Sequence, residues 1–218
     1  DATSDFELFL SKLDSDGNFV WVNHFIGDND AGSKSVITDG NDIILFGDYN
    51  GIIDADAGPE VTELTSAGGT DFLVAKYNSD GALLWAKSVG GLGNDVPLEG
   101  AVDEMGNIYF TGYFNNTVDF DPGPGIFNLT AVESDGFICK SAVAGNFISS
   151  ANFGDDGGDL GKSIYLDSLF NIYLTGYFDN TVDFNPGPEY FPLTCSYDDI
   201  FVLKLTQDYC SGLTLIAD

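Results

Sequence analysis

Asn107-Ile108-Tyr109-Phe110-Thr111-Gly112-Tyr113-Phe114 returns 64 residues later as Asn171-Ile172-Tyr173-Leu174-Thr175-Gly176-Tyr177-Phe178. Aromatic and β-branched residues of this kind suit a pleated, half-buried surface, and recurrence at a fixed interval marks a repeated structural unit. Working outward, Asp119-Phe120-Asp121-Pro122-Gly123-Pro124 returns as Asp183-Phe184-Asn185-Pro186-Gly187-Pro188, and Asp54-Ala55-Asp56-Ala57-Gly58-Pro59 is a diverged earlier copy. Asp71-Phe72-Leu73-Val74-Ala75-Lys76 recurs as Asp135 to Lys140 and as Asp199 to Lys204, and Glu7 to Lys12 opens the series. Its closing lysines, Lys12, Lys76, Lys140 and Lys204, are each 64 residues apart, as are Trp21 and Trp85.

Each unit reads as four strands. The first covers Ser33 to Thr38, with copies near Gly100 to Asp103 and Lys162 to Leu166, and the second is the run quoted above. A long Pro/Gly loop precedes the third strand, which ends at the repeated lysine. Asp16-Gly17 and Asp80-Gly81 then supply hairpin turns whose glycine accepts positive φ, and Ala82 to Val89 forms the fourth strand. No helical period of comparable length occurs. The expected fold is all-β, a β-propeller of four-stranded antiparallel blades. Residues 1–30 supply only third and fourth strands, a half-blade, whereas 31–94, 95–158 and 159–218 each supply a blade. Three and a half blades fall short of the roughly four to eight of a closed ring, so the chain is expected to be part of a larger propeller, or to be completed by other chains.

Asp+Glu 35 against Lys+Arg 7 gives a formal net charge of −28, which repels phosphate backbones and anionic headgroups and argues against nucleic-acid partners. No apolar run approaches the roughly 20 residues of a membrane span, so membrane insertion is not expected. Hydrophobic residues at 44% supply a large core, which excludes a disordered acidic tail. Three cysteines, Cys139, Cys195 and Cys210, form no zinc motif; Cys195 and Cys210 either pair across neighbouring strands or stay free thiols.

The combination Asp-x-Phe-Val-x-Lys-Leu, Asp-Gly-x-x-x-Trp, Gly-Asn-Ile-Tyr-x-Thr-Gly-x-Phe and Asp-Phe-Asp-Pro-Gly-Pro resembles the bacterial SBBP β-propeller repeat over nearly the whole chain. Gly106 through Pro124 is the best copy; Ala57, Ser149, Leu169-Phe170 and Asn185 depart from it. The resemblance implies a secreted or cell-surface protein, usually long and multidomain, with no defined enzymatic activity.

Asp119 with Asp121, Asp54 with Asp56, and Asp183 with Asn185 are candidate calcium ligands, because hard cations take carboxylate and carbonyl oxygens. Two carboxylates supply few of the roughly 6–8 oxygens calcium takes, and the competing reading is a rigid Pro-Gly-Pro turn with its acids in water. No other cofactor is implied. Asp14-Ser15-Asp16-Gly17-Asn18 fails as an EF-hand loop, since its glycine falls at the fourth position and Phe25 stands where glutamate is required. The repeated lysines read as a solvated strand face with local charge pairing. His24, the only histidine, lacks a nucleophile or acid at a triad-like spacing and reads as a surface residue of an outer strand. The sequence therefore points to a non-catalytic extracellular module, one that binds a glycan or protein ligand, as in adhesion, or that serves structurally. The alternatives are a polysaccharide-active enzyme with a carboxylate acid and base on the propeller face, and a calcium-stiffened spacer.

Overall fold

The structure, a computed structural model, describes residues 7–185, 190–206 and 216–217. Among these residues every regular element is a strand, and all pairings between strands are antiparallel. The first sheet holds β1 (Leu8–Leu13) and β2 (Phe19–Phe25). The second is a four-stranded meander of β3 (Ala31–Asp39), β4 (Asp42–Asp54), β5 (Glu63–Tyr77) and β6 (Leu83–Val89). The third contains β7 (Val96–Val102) and β8 (Ile108–Phe114), then β11 (Asp135–Ser141) and β12 (Phe147–Phe153), with a separate ribbon of β9 (Thr117–Asp119) and β10 (Asn128–Thr130) between the pairs. The fourth repeats this with β13 (Leu160–Leu166), β14 (Ile172–Phe178), β17 (Asp199–Thr206) and β18 (Ile216–Ala217), and the ribbon of β15 (Thr181–Asp183) and β16 (Pro192–Thr194).

These ribbons correct one expectation. The segment between second and third strands is not a plain loop: past a local irregularity at Asn50-Gly51, Asn115-Asn116 and Asp179-Asn180 the chain runs on into a further short strand, and it reverses only between the two strands of each ribbon. The second residue of each dipeptide has φ of +78°, +62° and +59°, a region that glycine and asparagine enter at least cost. In the second sheet the same ribbon is continuous with β4 and β5: beyond a register shift after Asn50, Ile53 pairs with Leu64.

A period-2 alternation sends neighbouring side chains to opposite faces, and both faces are apolar, so each sheet must be covered on both sides. Leu10, Val74, Ile138 and Val202 occupy one position at 64-residue intervals and are 7%, 6%, 2% and 76% exposed. Their sequence neighbours on the opposite face, Phe9, Leu73, Phe137 and Phe201, are 60%, 0%, 0% and 4% exposed. The four sheets are thus stacked face to face in chain order, with one bare face at each end. Each interface has its own core. Leu8, Leu10 and Phe25 meet Leu45, Tyr49 and Leu73; Phe46, Phe72 and Val89 meet Phe110, Phe120 and Phe137; Tyr109, Ile138 and Phe153 meet Leu174, Phe184 and Phe201. The first strands of successive sheets, β3, β7 and β13, lie side by side. At the hairpin turns, Trp21 and Trp85 donate Nε1–H to Ser79 and Val143 carbonyls of the following sheet at 3.2 Å, across Gly81 and Gly145.

The repeated lysines are less solvated than their sequence context suggests. Lys76 is 4% exposed and its ammonium lies 2.7 Å from Asp39 and 3.4 Å from Asp42, so charge pairing holds there but solvation does not. Lys140 and Lys204 lie over the rings of Tyr109 and Tyr173 at 4.9 and 6.0 Å. Each of these ammonium groups is held by side chains from other strands of its own sheet, which the sequence of the lysine's strand does not reveal.

Candidate functional site

The Asp-Phe-Asp turns come out as self-capped loops. Asp119 Oδ1 accepts N–H bonds from Asp121 (3.1 Å) and Phe127 (2.8 Å), and Asp121 Oδ1 accepts one from Gly123 at 2.8 Å. Asp54 Oδ1 does the same for Asp56 (3.0 Å) and Thr62 (2.8 Å), and Asp56 Oδ1 for Gly58 at 2.8 Å. Asp183 Oδ1 accepts from Asn185 (3.0 Å) and Phe191 (2.9 Å), while Pro186, Gly187 and Pro188 lie outside the described residues. An aspartate whose oxygen bonds the backbone two residues on is making an Asx turn. The phenylalanine between the acids is the residue that enters the core: Phe120 and Phe184 are buried. No group of three or more His, Cys, Asp or Glu side chains is disposed to hold a metal ion among the described residues. Calcium added to millimolar concentration is accordingly expected to leave the melting temperature unchanged, whereas Asp119→Ala should cost about 1 kcal/mol by releasing the turn. Thermal melts with and without calcium chloride check both.

Other residues singled out in the sequence find plain structural roles. Asp14 Oδ1 caps the Asp14–Asn18 hairpin through the N–H groups of Asp16 and Asn18 at 2.9 and 2.8 Å. His24 stands on β2, half exposed, with Nε2 2.6 Å from Glu7 Oε2. Cys139 is a buried free thiol pushed up to about 12 by burial, so it is held as an unreactive apolar group. The Cys195 thiol is directed at the Phe178 carbonyl at 3.4 Å; Cys210 lies outside the described residues.

Four aspartates form a more unusual arrangement, which sequence reasoning did not single out. Asp71, Asp95, Asp135 and Asp159 are at most 3% exposed. They fall into two equivalent pairs, one where the second and third sheets meet and one where the third and fourth meet. In the first, Asp95 accepts N–H bonds from Gly91 (2.7 Å) and Asn115 (3.1 Å) and donates its own N–H to the Thr70 carbonyl at 2.6 Å. In the second, Asp159 accepts from Asp155 (3.2 Å) and Asp179 (3.0 Å) and donates to Ser134 at 2.8 Å. Each carboxylate therefore ties the connection between sheets to a turn of the later sheet, and its backbone to the earlier one. Asp71 Oδ2 accepts from Ala67 N at 2.8 Å and Asp135 Oδ2 from Asn152 Nδ2 at 2.6 Å, but Oδ1 of both is buried without a hydrogen-bond partner. Burial pushes all four carboxyls up, Asp95 and Asp159 to about 6. The available signal was Asp71 and Asp135, and Asp95 and Asp159, 64 residues apart.

A third feature is the edge of β1. Third strands β5, β11 and β17 have a neighbour on both sides, whereas β1 pairs only with β2 among the described strands. Beside its other edge run two clefts, one of about 400 Å³ lined by Glu7, Asp30, Lys34 and Asp48, and one of about 270 Å³ lined by Phe9, Ser11, Val36 and Leu45.

No family model matches the chain. It is similar to an uncharacterized WD repeat-containing protein of Acanthamoeba polyphaga mimivirus, with 26% identity over 196 residues that cover 76% of this chain. The chain spans about a seventh of that relative's length, 14%.

Proposed function

We propose that the chain is a run of β-propeller blades and serves as a non-catalytic binding or structural module of a larger secreted or cell-surface protein. The observation that carries this is the pair of bare terminal faces. Val202 and Ile200 expose on the fourth sheet the surface that the preceding sheets bury, and Phe9 exposes on the first sheet the surface that the following sheets bury. Further sheets stacked on these faces, and strands added to the open edge of β1, would bury both and close a ring. Similarity to a WD repeat-containing protein supports the blade reading, and the residues quoted from the repeat support the bacterial surface family. The acidic surface, with a net charge of −28, suits a soluble module outside the cell.

Electron microscopy of the intact protein tests the architecture: a disc with radially arranged sheets is expected, and an open, extended stack of sheets would refute it. Screening glycans for retention and for product release separately tests the activity. Retention without turnover supports a binding module, and turnover by the isolated chain would replace it with a polysaccharide-active enzyme.

A further inference from the structure

The paired aspartates raise a charge problem. A buried carboxylate is stable when it has a cation beside it, several hydrogen-bond donors, or a proton. Among the described residues no ammonium forms an ion pair with Asp71, Asp95, Asp135 or Asp159. Apart from Lys34, what surrounds them is neutral or acidic. Facing Asp71 and Asp95 are Tyr49 of β4, whose hydroxyl bonds Ser88 of β6 at 2.6 Å, and Tyr113 of β8, with Lys34 and Asp48 farther out and paired to each other at 3.0 Å. Facing Asp135 and Asp159 are Asn152 of β12 and two further acids, Asp155 and Asp179.

Close packing leaves little room for a hydrated cation. A Cβ on Gly90 would fall on the Asp71 carboxyl group. A Cβ on Gly154 would stand 2.7 Å from the partnerless Oδ1 of Asp135 and 2.9 Å from Oδ2 of Asp159, so both oxygens border the same small space beside a glycine. The same residue types at the same interval build both sites, which makes the arrangement a property of the sheet-to-sheet junction.

We propose that the Asp71–Asp95 and Asp135–Asp159 pairs are proton-binding sites, and that proton uptake in mildly acidic medium tightens the packing of successive sheets. A carboxyl held at about 6 in the folded chain and near 3.8 in the unfolded chain keeps its proton longer when folded. Its stabilising contribution is complete below about pH 4 and is lost as pH rises through 6, the reverse of ordinary acid denaturation. Two pKa units correspond to a ~100-fold change in the unfolding equilibrium per site.

The test combines unfolding curves between pH 4.5 and 8 with carboxyl ¹³C titration of the 218-residue chain. Expected are two aspartate resonances with midpoints near 6, a melting temperature that falls as pH rises from 5 to 8, and a flatter dependence in Asp71→Asn/Asp135→Asn. That double variant removes two charges, turns each partnerless oxygen into a donor and leaves the oxygens that accept from Ala67 and Asn152. Asp80→Asn, in an exposed hairpin turn, controls for relief of the overall negative charge and should leave the slope as it is. Aspartates that all titrate below 5, or a slope equal in wild type and double variant, would overturn the proposal. So would a calcium-induced rise in melting temperature at pH 7.5 that the double variant abolishes, since that would put a metal ion where the proton is placed.

Discussion

Phe137→Ala is expected to cost about 3–5 kcal/mol, the range for a fully buried aromatic cut back to a methyl group. Phe137 is 0% exposed and sits at the centre of a ring cluster that joins the second and third sheets. Its ring centroid lies 5.5 Å from Phe72, 5.2 Å from Phe120, 5.9 Å from Phe110 and 6.4 Å from Phe114. Truncation loses the transfer free energy and leaves a cavity walled by other rings, which are held on strands and collapse poorly into it. Against a total stability of about 5–15 kcal/mol this is a large share, and it corresponds to a fall in melting temperature of roughly 10 °C. The internal control is Phe9→Ala, the same position in the first sheet, where the ring is 60% exposed and the change should stay within about 0.5 kcal/mol. Urea unfolding of both variants provides the measurement. Equal losses would mean that the sheets do not stack as described.

The contrast between Phe9 and Phe137 also shows where sequence is informative. A 64-residue period and two-residue alternation, with Asp-Gly turns in the first two sheets, locate the longer strands, because these signals are local or repeat. Burial of polar residues is different. Asp71 lies within β5 and Asp95 in a Gly-rich connection, where an acid is ordinarily solvated; both are buried where the second and third sheets meet, and only stacking reveals it. Lys76 is buried too, but against Asp39 and Asp42 of its own sheet. The three-residue ribbons leave no trace in the sequence because β9 and β10 are too short to show a period, and the positive-φ residue just before β9, Asn116, looks like part of any polar loop. The candidate calcium residues are legible as a motif; in the structure Asp119, Asp121, Asp54, Asp56 and Asp183 each give Oδ1 to backbone N–H groups of their own turn, a role that spacing alone does not separate from metal ligation.

Gly112 carries the other large expected effect, and its cause lies in the backbone. In all three four-stranded sheets the glycine of the second strand pairs with the first strand beside a one-residue register shift: Gly47 with Ser33, Gly112 with Pro97 and Gly176 with Gly161. The extra residue of the bulge bends β7 toward β8, and the two strands approach more closely than side chains permit. A Cβ on Gly112 would fall on the Val96 carbonyl oxygen and stand 2.9 Å from Pro97 Cα; on Gly47 it would stand 2.8 Å from the Gly32 carbonyl oxygen, and on Gly176 it would fall on that of Leu160. Flexible side chains can swing away, but a laddered backbone moves only by giving up its hydrogen bonds. Gly112→Ala is therefore expected at or beyond the upper end of the overpacking range, about 3 kcal/mol, with faster amide exchange confined first to β7. Gly158→Ala is the matched control, because its added Cβ meets nothing within 4 Å and its φ is not positive. If the two substitutions cost the same, the repeated Thr-Gly-Tyr-Phe glycine is not there for the close approach of the bulged strand, and its recurrence needs another cause.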